Sequence, residues 1–167
     1  MDHLWSPWRY QYLTAARAPA DGCIFCRMAA EQNKGSDERN LIVYRGVSNF
    51  VVLNRFPYTS GHLMVVPYAH AAQLNAIEEA VASELMRLTR TAEGHLRNVY
   101  RPNGLNIGMN IGESAGAGIA GHIHMHVLPR WFGDSNFMTT IGETRILPED
   151  LDVTWKRLSE AFATVGP

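Results

Sequence analysis

Between Leu41 and Val66 the chain carries three short, β-branched runs: "LIVYR" (41–45), a run over 49–53 followed by Asn54 in "VVLN", and "HLMVV" (62–66), which Pro67 closes. Turn residues separate them, so all three are expected as strands. From Ala76 the period changes. Ile77, Val81, Leu85, Leu88, Ala92, Leu96 and Val99 follow steps of three and four, one face of a long helix. The turn-forming "RPNG" (101–104) stops it, and "LNIGMNI" (105–111) and "HIHMHVL" (122–128) supply two more strands. Pro148 to Val165 reads as a closing helix, with Pro148 near its first turn and "ED" where the helix dipole favours negative charge. Residues 30–40, "AEQNKGSDERN", are polar and read as a loop. Consecutive strands with short connections favour an antiparallel sheet of about five strands with helices on one side, an α+β domain.

At 167 residues the chain suits one domain and is short for two. We expect an N-terminal aromatic arm over 1–22 and a single domain over 23–167. The formal charge of -1 implies no bulk attraction to nucleic acid or to an anionic membrane, so a phosphorylated substrate needs local donors. No apolar run approaches the roughly 20 residues that span a bilayer. The start, "MDHLWSPWRYQYL", lacks the apolar stretch of a signal peptide, and the protein is expected in the cytoplasm. In that reducing setting Cys23-x-x-Cys26 suggests metal or redox chemistry over a structural disulfide.

The histidines carry the chemistry. In an extended chain His122, His124 and His126 project from one face, while Ile123, Met125 and Val127 turn to the other. Three imidazoles suit a catalytic zinc, or one can be a nucleophile positioned by the others. Just upstream, "NIGESAGAGIAG" (110–121) places glycines where backbone amides can converge on an anion. It lacks the Gly-Lys-Ser/Thr ending of a Walker motif. A hydrolytic zinc has no evident use for that loop, whereas a histidine attacking phosphorus does, so the nucleophile is preferred.

"HIHMHVL" fits His-φ-His-φ-His-φ-φ, φ being apolar, at every position, and on it the chain resembles the histidine triad (HIT) superfamily. "CIFC", "VVLNRFPYTSGHLMVVPYAH", "NIGESAGAGIAGHIHMHVLPRW" and "GDSNFM" are similar to family blocks. The aromatic start, "PRW" and "GDSNFM" look most like the bacterial diadenosine tetraphosphate phosphorylase branch. The resemblance implies a nucleotidyl-transferring enzyme acting on dinucleoside polyphosphates. His124 would attack the α-phosphorus, and phosphate (in a phosphorylase) or water (in a hydrolase) would release the nucleotide. His126 would bond phosphate oxygens and assist the leaving group, a general-acid task that suits a pKa near neutrality. The other nitrogen of His124 should donate to a fixed acceptor, a backbone carbonyl.

The resemblance also implies that Asn54 touches the ribose and that Asn110 lies near the phosphates. Gly116, Ala117 and Gly118 would offer backbone donors, Ser114 a hydroxyl, and Trp131 a closing aromatic. It implies a structural zinc on Cys23, Cys26, His70 and His122 and a homodimer; His62 is the competing ligand, and the arm residues Trp5, Trp8, Tyr10 and Tyr12 are candidates for wrapping a partner subunit, since apolar arms seldom stay solvated. A hydrolase of dinucleoside polyphosphates or nucleoside phosphoramidates is the alternative within this chemistry. A nucleotide-binding interaction protein is the alternative from another class.

Overall fold

A computed structural model describes residues 22–33, 35–141 and 149–164. Five strands, β1 (Ile42–Arg45), β2 (Asn49–Leu53), β3 (Leu63–Pro67), β4 (Gly104–Gly108) and β5 (Met125–Arg130), form one antiparallel sheet in the order β1-β2-β3-β5-β4. The helices are α1 (Ile24–Ala30), α2 (Ser36–Asn40), α3 (Glu79–Tyr100), α4 (Phe137–Thr140) and α5 (Leu151–Thr164).

The side-chain period assigns the two faces of the sheet. Asn49 reaches α3, its amide donating to the Val81 carbonyl and to Glu84. Val51 and Leu53 therefore face α3, together with their partners Val65 and Leu63 and with Val127 opposite Leu63. The α3 stripe of Leu85, Leu88, Ala92 and Leu96 is buried over them. Phe50, Val52, Met64, Val66 and His126 take the other face, where Phe25 of α1 lies against the His122 and His124 rings. α5 packs against β1 and α3 through Leu158 and Phe162.

Several boundaries differ from expectation. The long helix begins at Glu79, because Leu74–Ala76 forms a 3-10 turn and Ile77 is extended. The polar stretch 30–40 contains α2, which left-handed Gly35 opens and acidic Asp37 and Glu38 support in the first turn. "CIFC" enters a helix. β4 ends at Gly108, short of Ile111, and β5 starts at Met125 instead of 122. Pro67 explains the last point: it has no N–H to continue the ladder, and Ile123 donates to Ala71 instead. α5 spans Leu151–Thr164; Pro148 and Val165 lie outside the described residues, as does the aromatic arm but for Gly22. Among the described residues no helix is long and apolar enough to cross a membrane.

Candidate active site and metal centre

His124 lies one residue before β5 and is 4% exposed. Its Nδ1 is 2.9 Å from the His122 carbonyl. A carbonyl only accepts, so Nδ1 carries the hydrogen and the lone pair is on Nε2. Burial pushes the ring below the ordinary imidazole value and keeps it neutral at pH 7. A neutral imidazole with a fixed lone pair is a competent nucleophile.

The tautomer of His126 is set from further away. The Tyr58 backbone N–H donates to Nδ1 of His62 at 3.2 Å, and His62 Nε2 lies 2.9 Å from Nδ1 of His126. A backbone amide can only donate, so His62 Nδ1 is bare and its Nε2 carries the hydrogen. That hydrogen goes to His126 Nδ1, and the His126 hydrogen is therefore on Nε2. Burial, then the adjacent His124 ring 4.7 Å away, push His126 down to about 4. The near-neutral value expected from its role is not what this environment produces. His126 is a neutral hydrogen-bond donor here, and a polyanion beside it raises its pKa again.

His62, considered as a zinc ligand from the sequence, instead orients His126. It is fully buried and follows Gly61, whose φ of 78° and 3.1 Å clearance to Leu96 and Tyr100 leave no room for a side chain. "SGH" is the sequence signal: a glycine fixing the entry of a buried histidine. Phe25, which covers the His122 and His124 rings, carried no such signal.

His122 is fully buried and faces two ways. Its Nε2 donates to the Pro67 carbonyl at 2.9 Å, which leaves Nδ1 as a ligand atom. Nδ1 lies 3.3 Å from Cys23 Sγ and 3.7 Å from Cys26 Sγ, and Cys26 Sγ is 3.2 Å from His70 Nδ1. All four donor atoms lie within 4.8 Å of one another. Zinc bonds of about 2.0–2.3 Å in a tetrahedron give edges of about 3.3–3.8 Å, so two sulfurs and two imidazoles at these separations fit that ion. Without a cation, burial and then Cys23 push the Cys26 thiol up; a divalent ion reverses this and holds thiolates.

The glycine loop is built around the 3-10 turn Glu113–Ala115, between Gly112 and Gly116, both at positive φ. Asn110 Nδ2 donates to the Gly116 carbonyl at 3.5 Å, across the loop. The Gly116 and Ala117 amides donate to Glu113 and Gly112, so a phosphate would have to share or replace those bonds. Ser114 is exposed on the turn, and Gly118 follows it into the segment before His122. Asn54 caps its own turn, Oδ1 accepting from Phe56 N–H at 2.9 Å, with Nδ2 3.4 Å from His62 Nδ1. Trp131, one residue past β5, lies edge-on to Tyr100 of α3 and not among the triad rings.

The HIT domain family model matches residues 36–133. A protein of Mycobacterium tuberculosis named AP-4-A phosphorylase is 41% identical over 166 residues, covering 98% of this chain and 85% of the relative. "Protein hit" of Bacillus subtilis is 29% identical, over 87% of this chain and 97% of its own. A Zn-bound histidine triad family protein from Mycobacterium smegmatis superposes with a TM-score of 0.68 at 26% identity, covering 86% of this chain and 94% of the other.

Proposed function

This chain belongs to the HIT domain family, and from that premise we propose that it cleaves dinucleoside polyphosphates through a covalent nucleotidyl-histidine, phosphorolysing diadenosine tetraphosphate to ATP and ADP. The observation that carries the reading is the bond from His124 Nδ1–H to the His122 carbonyl, which frees Nε2 for attack.

His124 Nε2 forms a bond to the α-phosphorus of one adenylate, and the bond from that phosphorus to the bridging oxygen breaks. ATP leaves, and AMP remains on the imidazole. His126, its hydrogen held on Nε2, donates to the oxygens that gain charge. Inorganic phosphate then attacks the same phosphorus, and the phosphorus–nitrogen bond breaks to give ADP and the free histidine. Gly118, Ser114 and, by exchanging their loop bonds, Gly116 and Ala117 would hold the phosphates, with Asn110 bracing the loop. Asn54 is assigned to the ribose, where it would exchange its turn bond for a sugar hydroxyl. The name of the 41% identical relative supports phosphate as the acceptor.

Cys23, Cys26, His70 and His122 would hold a zinc ion, which when bound supplies a rigid cross-link and no chemistry. A cytoplasmic location is proposed, a reducing setting in which Cys23 and Cys26 would stay available as metal ligands. A homodimer is proposed, supported by the exposed edge strand β4 with Ile107 44% exposed. The deciding experiment is incubation with diadenosine tetraphosphate, with and without inorganic phosphate. Phosphate-dependent ATP plus ADP is expected; ATP plus AMP in water alone would make the protein a hydrolase, and no turnover would remove the enzyme reading.

A further inference from the structure

On the triad face of the sheet a cavity of about 270 Å³ opens beyond His126. Its floor is Leu128, two residues along β5 from His126, with Asn106 of β4 directly opposite Leu128. Tyr58 forms a wall shared with the triad: its ring lies roughly parallel to His126, 6.5 Å away between centroids, and also lines the cavity. Arg130, Asp134 and Ser135 close the far end.

The charges decide what fits. Arg130 is paired with Asp134 at 2.5 Å through Nε and at 2.7 Å through Nη2, and its Nη1 donates to Asn106 Oδ1 at 2.7 Å. The guanidinium is thus neutralised, and the cavity offers no uncompensated positive charge to a polyphosphate. It offers an aliphatic floor and an aromatic wall for the faces of a flat heterocycle. At the edges it offers the NH2 of Asn106, whose Oδ1 is taken by Arg130, and the oxygen of Ser135, whose hydrogen goes to Asp134 Oδ1 at 3.5 Å. A volume near the lower end of about 300 Å³ for small-ligand sites suits one nucleoside and not a whole dinucleotide.

We propose that this cavity binds the nucleoside of the departing nucleotide, so that a dinucleoside substrate lies along β5 with one nucleoside on each side of the triad. The assignment rests on the reaction proposed above, in which the leaving group departs past His126. It gives the site a reason to prefer dinucleoside polyphosphates over nucleotides whose leaving group is small: only the former reach Leu128 and Tyr58.

The test compares diadenosine tetraphosphate with adenosine 5′-phosphoramidate, which has no second nucleoside. Ser135→Trp fills the cavity from an exposed position, and phosphoramidate turnover reports that the variant is folded. The ratio of kcat/KM for the dinucleotide to that for the phosphoramidate is expected to fall at least tenfold, chiefly through KM. An unchanged ratio overturns the assignment. If the unmodified protein does not cleave diadenosine tetraphosphate, the reaction reading fails by itself, and calorimetry with adenosine decides the cavity. Two equivalents bound by the unmodified protein and one by Ser135→Trp sustain it; equal stoichiometry in both overturns it.

Discussion

The His122 carbonyl accepts the Nδ1–H of His124 at 2.9 Å while the His122 ring turns its own Nδ1 toward Cys23 and Cys26. One residue thus joins the candidate nucleophile to the candidate metal centre, with its backbone serving one and its side chain the other.

Replacement of the nucleophile should separate binding from chemistry. His124→Asn is expected to bind adenine nucleotides within a few-fold of the unmodified protein and to lose at least ~10³-fold in kcat. Mass spectrometry after rapid quenching should find an adenylate adduct on the unmodified protein and none on the variant. Normal turnover by the variant removes the nucleophile from position 124.

Metal loss should be felt as stability. Elemental analysis is expected to find one zinc per chain, and none in Cys26→Ser. Removing the cross-link should lower Tm by roughly 5 °C or more, since about 1 kcal/mol corresponds to 2–4 °C at this size. A metal-free preparation that melts at the same temperature would show that the four side chains need no ion.

His62 is a positioning residue, so its substitution should act on kcat and on the pH profile. His62→Phe keeps a ring but cannot donate to His126 Nδ1; kcat is expected to fall about 10- to 100-fold with nucleotide affinity little changed. His62→Gln, whose amide can still donate, should recover part of the loss. A purely packing role predicts instead that Phe is the better tolerated of the two.

Acid should unfold the protein through its buried histidines. Burial pushes His95 below the ordinary value, its Nε2 has no partner, and its ring rests on Phe162 at 4.4 Å. His126 is pushed in the same direction, down to about 4. A depressed imidazole pKa means that the unfolded chain binds more protons. Stability is then complete above about pH 6.5 and is lost as the pH falls toward 4. Tm should follow that slope, and His95→Met should flatten it; an equally steep profile in the variant would exonerate His95.

Glu84 ties the β1–β2 turn to α3, accepting from the Val47 and Ser48 amides and from Asn49 Nδ2. Glu84→Ala removes the acceptor of the Val47 and Ser48 amides and leaves Asn49 Nδ2 only the Val81 carbonyl, and it should cost about 2–3 kcal/mol in urea denaturation. A loss below 0.5 kcal/mol would mean that water replaces the carboxylate.

The parts legible in the sequence were those written in local periodicity. The spacing of Leu85, Leu88, Ala92 and Leu96 marked α3 and its buried stripe, and the alternation around Met125 and Val127 marked the triad. Helix α2 was hidden because its five residues are polar on every side, and its cue is the backbone of Gly35. The start of β5 depended on Pro67, distant in sequence but adjacent across the sheet. The work of His62 was unreadable for a similar reason: one of its partners is a backbone amide and the other an imidazole on a different strand. Ligand chemistry made Cys23-x-x-Cys26 visible as half a metal site, whereas its completion by His70 and His122 came from family likeness and reappears in the geometry.

The proton on His126 is assigned by the main chain at position 58, not by the tyrosine ring there. Genetic drift can rewrite that side chain, and with it whatever the neighbouring cavity accepts, while the imidazole keeps its polarity. Proline alone would erase the amide, so substrate range can evolve at this position independently of the catalytic hydrogen, with one residue type forbidden.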